Sequence, residues 1–175
     1  MPHLLIIPGS LRAASSSRAV AQTFADRLAD RATCTLAEIG RLPHYDADLT
    51  DDPAVAAFVA QVAAADGILF VTPEYNYSVP GVLKNAIDWA SRPAYASVFR
   101  DKPCFVISLS AGAMGGVRAQ AHLKYILNGM LARVPPAKEV AIPFAQAKIV
   151  DGVLTDAETL AFAETEIAGF LASLA

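Results

Sequence analysis

The 175-residue sequence predicts an α/β fold of three layers, built on a doubly wound five-stranded parallel sheet in the strand order 2-1-3-4-5. Two observations carry that prediction. Short continuous apolar runs recur along the chain, and stretches of helical periodicity separate them. Leu4-Leu5-Ile6-Ile7, Ile68-Leu69-Phe70-Val71 and Phe105-Val106-Ile107 are such runs, each bounded by Gly, Pro, Ser or Asp, the pattern of strands buried on both faces. Cys34-Thr35-Leu36 and Glu139-Val140-Ala141-Ile142 supply two shorter strands.

Helical patterns cover about Ser16 to Asp30, Pro53 to Ala65, Val82 to Ser91, Gly116 to Arg133 and Asp156 to Ser173. Strict alternation of strand and helix implies parallel pairing, because parallel neighbours need crossover connections and right-handed crossovers place helices on both faces. Five strands favour the order 2-1-3-4-5 over a six-stranded dinucleotide-binding sheet. In either case a ligand belongs beyond the carboxyl ends of the strands, on the loops after strands 1, 3 and 4. The polar stretch Gly40 to Asp52 is the longest loop, and nothing along residues 1–175 reads as a linker, so one domain is expected.

Hydrophobic residues make up 54% of the chain and charged residues 18%, too apolar a composition for a disordered polymer. The net charge of −3, with Lys and Arg scattered singly, argues against nucleic acid or a lipid surface as partner. Met1-Pro2-His3-Leu4 leads into a short apolar run ended by Pro8-Gly9, which reads as a strand and not as a signal peptide. No segment is long enough to span a bilayer, and a cytoplasmic location is expected. Cys34 and Cys104, distant in sequence and set among apolar or β-branched neighbours, read as buried free thiols.

The loop after strand 1, Pro8-Gly9-Ser10-Leu11-Arg12-Ala13-Ala14-Ser15-Ser16-Ser17-Arg18, runs from small residues into a helix. Hydroxyls and backbone N–H groups at a helix N-terminus suit a phosphate, and Arg12 could add a charge-assisted contact. The plainer alternative is that Ser15, Ser16 or Ser17 only caps the helix. Neither G-x-G-x-x-G nor G-x-x-x-x-G-K-[ST] is present. After strand 3, Thr72-Pro73-Glu74-Tyr75-Asn76-Tyr77-Ser78-Val79-Pro80-Gly81 is stiffened by prolines and offers aromatic surface and an amide, fit for a flat heteroaromatic ring or for an ordinary turn. After strand 4, Ser108-Leu109-Ser110-Ala111-Gly112-Ala113-Met114-Gly115-Gly116 is small enough for backbone to approach a ligand closely, or to be a flexible turn. All three loops end at one edge of one sheet.

On these residues the chain resembles the NADPH-dependent FMN reductase family, the flavodoxin-like group that includes quinone, chromate and azo-dye reductases. Gly9-Ser10-Leu11-Arg12 with Ser15 resembles the family's phosphate loop. Pro73-Glu74-Tyr75-Asn76-Tyr77-Ser78 followed by Pro80-Gly81-Val82-Leu83-Lys84-Asn85-Ala86-Ile87-Asp88-Trp89 is similar to its most specific stretch, and Gly115-Gly116-Val117-Arg118-Ala119-Gln120 to a third. With Leu42-Pro43 and Asp46, the likeness covers roughly Leu4 to Val140.

The resemblance implies FMN, its phosphate held by Ser10, Arg12, Ser15 and Ser17 with Ser16 beside them. It sets the isoalloxazine edge against Pro73, Glu74, Tyr75 and Asn76 on one side, and against Ser110, Ala111 and Gly112, with Gly115 nearby, on the other. Ser17 departs from the asparagine of many relatives, though its hydroxyl still donates. NADPH or NADH is the implied co-substrate and a small electron acceptor the second substrate, in ping-pong exchange. The flavin carries the chemistry, so no catalytic acid or base is assigned. Asn76 could orient the nicotinamide or acceptor, and the backbone N–H groups of Glu74, Tyr75 and Asn76 could steady charge on the reduced ring. Arg118 and Glu139 match positions that contribute to oligomer contacts in the family, and a homodimer or homotetramer is expected, although Ala121 replaces a frequent aromatic.

His3, His44 and His122 read as surface or core residues, and zinc-ligand spacings are missing. Glu74 and Asp88 could pair for acid–base work, but Lys84 four residues before Asp88 offers an ordinary helical ion pair. Arg18 and Arg92 could meet the 2′-phosphate of NADPH. Two rival functions use the same scaffold: a flavodoxin-type electron carrier without NAD(P)H activity, and a flavin-free nucleoside-processing enzyme such as a deoxyribosyltransferase, with Glu74 as the nucleophile.

Overall fold

A computed structural model describes residues 1–174. The chain alternates as the sequence predicts: β1 (His3–Pro8), α1 (Ser16–Arg27), β2 (Thr33–Leu36), α2 (Pro53–Ala64), β3 (Gly67–Pro73), α3 (Gly81–Ala90), β4 (Cys104–Leu109), α4 (Val117–Gly129) and β5 (Val140–Ile142). A 3₁₀ turn (Ala145–Lys148), β6 (Ile149–Val150), β7 (Val153–Leu154) and α5 (Ala157–Ala172) complete it. The first five strands form one parallel sheet in the order β2-β1-β3-β4-β5.

The period of two along each strand sends alternate residues to opposite faces. Leu4, Ile6, Leu69, Val71, Phe105 and Ile107 pack under α1 and α5, where they meet Val20, Phe24, Ile167 and Phe170. Leu5, Ile7, Ile68, Phe70 and Val106 pack on the other face against Phe58, Leu83, Ile87 and Leu123 of α2, α3 and α4. Both faces are dry, which is why these strands read as unbroken apolar runs rather than alternating ones.

Helix starts follow capping chemistry. Asp52 accepts from the N–H groups of Ala54 and Val55, with Pro53 in the first helical turn of α2, and Asp156 accepts from Thr159 N at the start of α5. Two expected helices are shorter than their periodicity suggests: α1 ends at Arg27, and α4 ends at Gly129 because Leu131, at φ 62°, turns the chain left-handed. Glu139 stands just before β5 rather than in it.

The β6–β7 hairpin is an addition to the expected elements. Asp151 and Gly152, at φ 50° and 79°, make its two-residue turn. Leu154 is buried in the α1–α5 core, and its N–H donates to Thr23 Oγ1 of α1 at 3.0 Å.

The long loop after β2 is pinned from α3. Asn85 accepts from Tyr45 N at 2.7 Å and donates to Pro43 O at 2.8 Å, and Trp89 Nε1 donates to the same carbonyl at 2.8 Å. Tyr45 meets Trp89 edge-on, ring centroids 4.9 Å apart. Cys34 and Cys104 are free thiols, Cys104 buried and Cys34 half-buried. Burial pushes both thiols up, so neither is poised as a thiolate.

Candidate active site at the carboxyl edge of the sheet

Register brings the three loops to one place. Pro8 lies opposite Val71, and Pro73 opposite Leu109, so β1, β3 and β4 stop at the same edge. Gly9 makes the closest approach: its N–H donates to Val71 O at 2.8 Å, and a Cβ there would stand 3.0 Å from the Pro73 ring and 3.2 Å from Thr72 Cα. Only glycine lets the first loop lie this close to the start of the second.

A cleft of about 210 Å³ opens between the loops. Ser10, Arg12, Ser15, Ser16, Ser17, Pro73, Glu74, Tyr75, Ser110 and Ala111 of the sequence-predicted residues line it. Asn76 and Gly112 stand outside that lining, exposed at the rim. Gly115 is also outside it. At φ 60°, Gly115 packs against β5, where a Cβ would meet Ala141 C and Ile142 N at 3.0 Å, and its carbonyl accepts from Ser108 Oγ at 2.9 Å. Ala14, Leu109 and Gln146 line the cleft without having been singled out in the sequence. Gln146 sits on a 3₁₀ turn whose position no periodicity marks. A wider groove adjoins the cleft on the α1 side, but only the smaller cleft touches all three loops.

At one end of the cleft three serines are buried: Ser10, Ser15 and Ser17. Ser15 caps α1, accepting from Arg18 N at 3.2 Å, and its Oγ lies 3.3 Å from Ser17 Oγ. The capping alternative is thus realised for Ser15, while the N–H groups of Ser16 and Ser17 in the first turn have no intrahelical carbonyl to meet. Ser10 Oγ shares a hydrogen bond with Tyr75 Oη at 3.2 Å, which ties the first loop to the second. Arg12 is exposed, and among the described residues no carboxylate pairs with it. Buried hydroxyls, unsatisfied helix N–H groups and an uncommitted guanidinium make a donor set for an anion.

The second loop is a tight hairpin. Tyr75 N donates to Ser78 O and Ser78 N to Tyr75 O, both at 3.0 Å, across a two-residue turn in which Asn76 and Tyr77 have φ 49° and 66°. Asparagine tolerates this left-handed conformation, whereas tyrosine is strained in it. Glu74 N donates to Leu109 O at 3.3 Å. Of the three backbone N–H groups expected to face a ring, those of Glu74 and Tyr75 are therefore engaged inside the chain. The hairpin takes the Tyr75 donor and the Leu109 carbonyl takes that of Glu74, so of the three only the Asn76 N–H is left without a backbone partner.

Glu74 itself is turned away from acid–base work. Its Oε2 accepts from Arg118 N at 3.1 Å and Ala119 N at 3.4 Å, and its Oε1 pairs with Arg118 Nη1 at 3.2 Å. Gly116, the N-cap position of α4, is left-handed and has no side chain to cap with, so a residue from another loop does it. A Cβ at Gly116 would strike Leu109 O at 2.8 Å. Arg118 then lies over the Tyr77 ring, 4.5 Å from its centroid.

The other charged candidates have ordinary partners. Lys84 pairs with Asp88 at 2.8 Å, as i,i+4 spacing predicts, so Glu74 and Asp88 do not form a dyad. Within the chain Glu139 pairs with Lys124 at 2.9 Å rather than with Arg118. Arg18 pairs with Glu38, and Arg92 lies over the Tyr45 ring. His3 Nε2 bonds Thr35 Oγ1, and His122 Nδ1 bonds Ser78 Oγ. No cluster of His, Cys, Asp and Glu that could hold a metal occurs among the described residues.

Known proteins resemble this chain in sequence and in fold. A 2-hydroxy-1,4-benzoquinone reductase of a Burkholderia species is 47% identical over 123 residues, covering 69% of this chain and 67% of its own. An NAD(P)H-dependent FMN reductase of Pseudomonas aeruginosa is 44% identical over 146 residues, 82% of this chain and 78% of its own. FerB, a flavoenzyme NAD(P)H:(acceptor) oxidoreductase from Paracoccus denitrificans, superimposes with a TM-score of 0.91 at 33% identity, covering 99% of this chain and 97% of its own. The sequence profile of the NADPH-dependent FMN reductases matches residues 2–147. The chain belongs to the NADPH-dependent FMN reductase family, and is an oxidoreductase with FMN as cofactor and NAD(P)H as co-substrate.

Proposed function

We propose that the cleft holds FMN with its phosphate at Ser10, Arg12, Ser15, Ser16 and Ser17 and its ring edge between Pro73–Asn76 and Ser110–Gly112, and that the chain passes hydride equivalents from NAD(P)H to a small acceptor. The observation that carries this reading is the free first-turn N–H groups of α1 and the unpaired Arg12, set among buried serines beside a tight aromatic loop. Bound there, FMN supplies the two-electron redox chemistry. The chain's own residues bind and orient. Ser10, Ser17 and Arg12 hold the anion, and Tyr75, locked to Ser10, sets the distance between phosphate loop and ring loop. Asn76, at the rim with its N–H outside the hairpin bonds, is the donor left to meet the ring edge, the nicotinamide amide or the acceptor.

The cleft is smaller than the roughly 300–1,000 Å³ of a usual small-molecule pocket. A ring seated against it therefore keeps one face open beside exposed Tyr75 and Tyr77, where nicotinamide and acceptor take turns. That arrangement gives ping-pong kinetics and selects acceptors by flatness and redox potential more than by hydrogen bonds. Quinones, flat and neutral, fit it best. Several relatives are named for quinones, among them the Burkholderia enzyme and a quinone reductase of Escherichia coli that is 43% identical over 130 residues. Initial rates measured against NADPH at several fixed benzoquinone concentrations test the proposal: parallel double-reciprocal lines are expected, and intersecting lines overturn the exchange at one face.

The same reading makes the protein a homo-oligomer working in the cytoplasm. Arg118, His122 and Tyr125 lie along one face of α4 beside Tyr77, and Tyr125 and Tyr77 are 83% and 67% exposed. Exposed aromatics around an arginine are the composition of a protein interface. No helix among the described residues is long and apolar enough to cross a membrane, and the net charge of −3 gives no basis for nucleic-acid binding. Sedimentation at micromolar concentration distinguishes a dimer or tetramer from a monomer of 18.4 kDa.

A further inference from the structure

The groove that adjoins the cleft has a volume of about 500 Å³, more than twice that of the cleft itself. The two share Ala14, Ser15, Ser16 and Gln146, so the serine loop is the ridge between them. The near wall is α1, through Ala19 and Gln22, and the far wall is the 3₁₀ turn and the β6–β7 hairpin, through Ile149 and Gly152. The Thr23–Leu154 hydrogen bond and the burial of Leu154 fix the hairpin against α1, so both walls are held by the core. With its phosphate at the serine ridge, as proposed above, FMN would leave this groove free.

We propose that this groove takes the adenosine 5′-phosphate half of FAD, so that the chain holds FAD as well as FMN; the proposal rests on the flavin reading of the cleft. Ala13, Ala14, Ala19 and Ile149 give apolar surface for a planar base. Gln22, whose Nε2 donates to Asp26 at 2.8 Å, keeps Oε1 as an acceptor, and the Gln146 amide both donates and accepts, matching the mixed edge of adenine. Arg18 lines the groove and supplies its one positive charge, and the only carboxylate beside it is its own partner Glu38, so a second phosphate meets a guanidinium there. Adenosine phosphate is also half of NAD(P)H, and connectivity separates the two. In FAD it is bonded to the flavin phosphate on the ridge. In the dinucleotide it is tethered to the nicotinamide ribose, which belongs over the ring at the Tyr75 and Asn76 end.

The test is titration of flavin-free protein with FMN and with FAD, read by quenching of flavin fluorescence, for wild type and for the groove-filling variants Ala19→Trp and Gln22→Trp. Wild type is expected to bind the two flavins within about tenfold of each other. Each variant is expected to weaken FAD at least tenfold while FMN affinity stays within about twofold. Two variants guard against one misfolding, and unchanged FMN binding reports that the cleft is intact. Refusal of FAD by a wild type that binds FMN overturns the proposal and leaves the flavin reading standing, whereas refusal of both flavins removes the reading itself. Equal weakening of both flavins by both variants, or a raised KM for NADPH in the FMN-loaded variants with FAD affinity unchanged, also overturns it.

Discussion

The Glu74 carboxylate caps the helix that carries Arg118: it accepts from the backbone N–H groups of Arg118 and Ala119 and pairs with the Arg118 guanidinium. One contact thus joins the loop after β3 to the start of α4, and it explains why a glutamate stands between Pro73 and Tyr75 in a loop that lines the cleft. Glu74→Ala should cost about 1 kcal/mol of stability, the usual loss of an N-cap acceptor. Glu74→Gln, which keeps an acceptor oxygen but loses the ion pair, should cost less. Thermal melts of the three proteins give the order. Both variants should still oxidise NADPH, an outcome that a nucleophilic role for Glu74 forbids.

Arg12 has no carboxylate partner among the described residues, so its charge is available to an anion. Arg12→Ala should weaken FMN binding by about tenfold, the scale of one charge-assisted hydrogen bond, with little change in melting temperature of the flavin-free protein. Riboflavin, which lacks the phosphate, should bind wild type and variant alike. A loss of riboflavin affinity equal to that of FMN would move the phosphate away from Arg12.

Asn85 and Trp89 read in the sequence as part of a family motif, yet their polar atoms face the long loop and not the cleft. Asn85→Ala leaves Tyr45 N without its acceptor in a half-buried place. We expect about 1–2 kcal/mol lower stability. Proteolysis between Pro43 and Asp52 should accelerate, with FMN affinity nearly unchanged.

Asp156 accepts from Thr159 Oγ1, from Lys148 Nζ and from Thr159 N, and these hydrogen bonds, the Thr159 hydroxyl foremost, hold its carboxyl down to about 2 from an ordinary value of 3.8. Because the folded value is the lower one, its stabilisation is fully present above about pH 4 and disappears as pH falls toward 2. Wild type should therefore melt above Asp156→Asn at pH 5 to 8, and the gap should close between about pH 4 and pH 2. A gap independent of pH would assign the effect to helix capping without ionisation.

The sheet was legible in the sequence because burial on both faces leaves unbroken apolar runs, as at Leu4–Ile7 and Ile68–Val71, and the strand order followed from their alternation with helices. The β6–β7 hairpin was not found, although Asp151-Gly152 between valines is a strong local turn signal. Each strand has only two residues, too few to show a period. At the site, the serine loop and the Pro73–Tyr75 wall were readable from residue types and from the family's motifs. The capping role of Glu74 was not, because it depends on Gly116 being left-handed 42 positions away, which no local pattern encodes. Nor could sequence show that the hairpin bonds of Tyr75 and the Leu109 contact of Glu74 use up two of three N–H donors.

One spectrum shows whether a flavin sits in the cleft and is reduced there by NAD(P)H. Purified protein is mixed with FMN, freed of excess, and followed in the visible region under anaerobic conditions as NADPH and then NADH are added. The expected result is a bound flavin spectrum that bleaches on addition of one or both nucleotides and returns when benzoquinone is supplied. Protein that retains no FMN, or that stays yellow with both nucleotides, would contradict it.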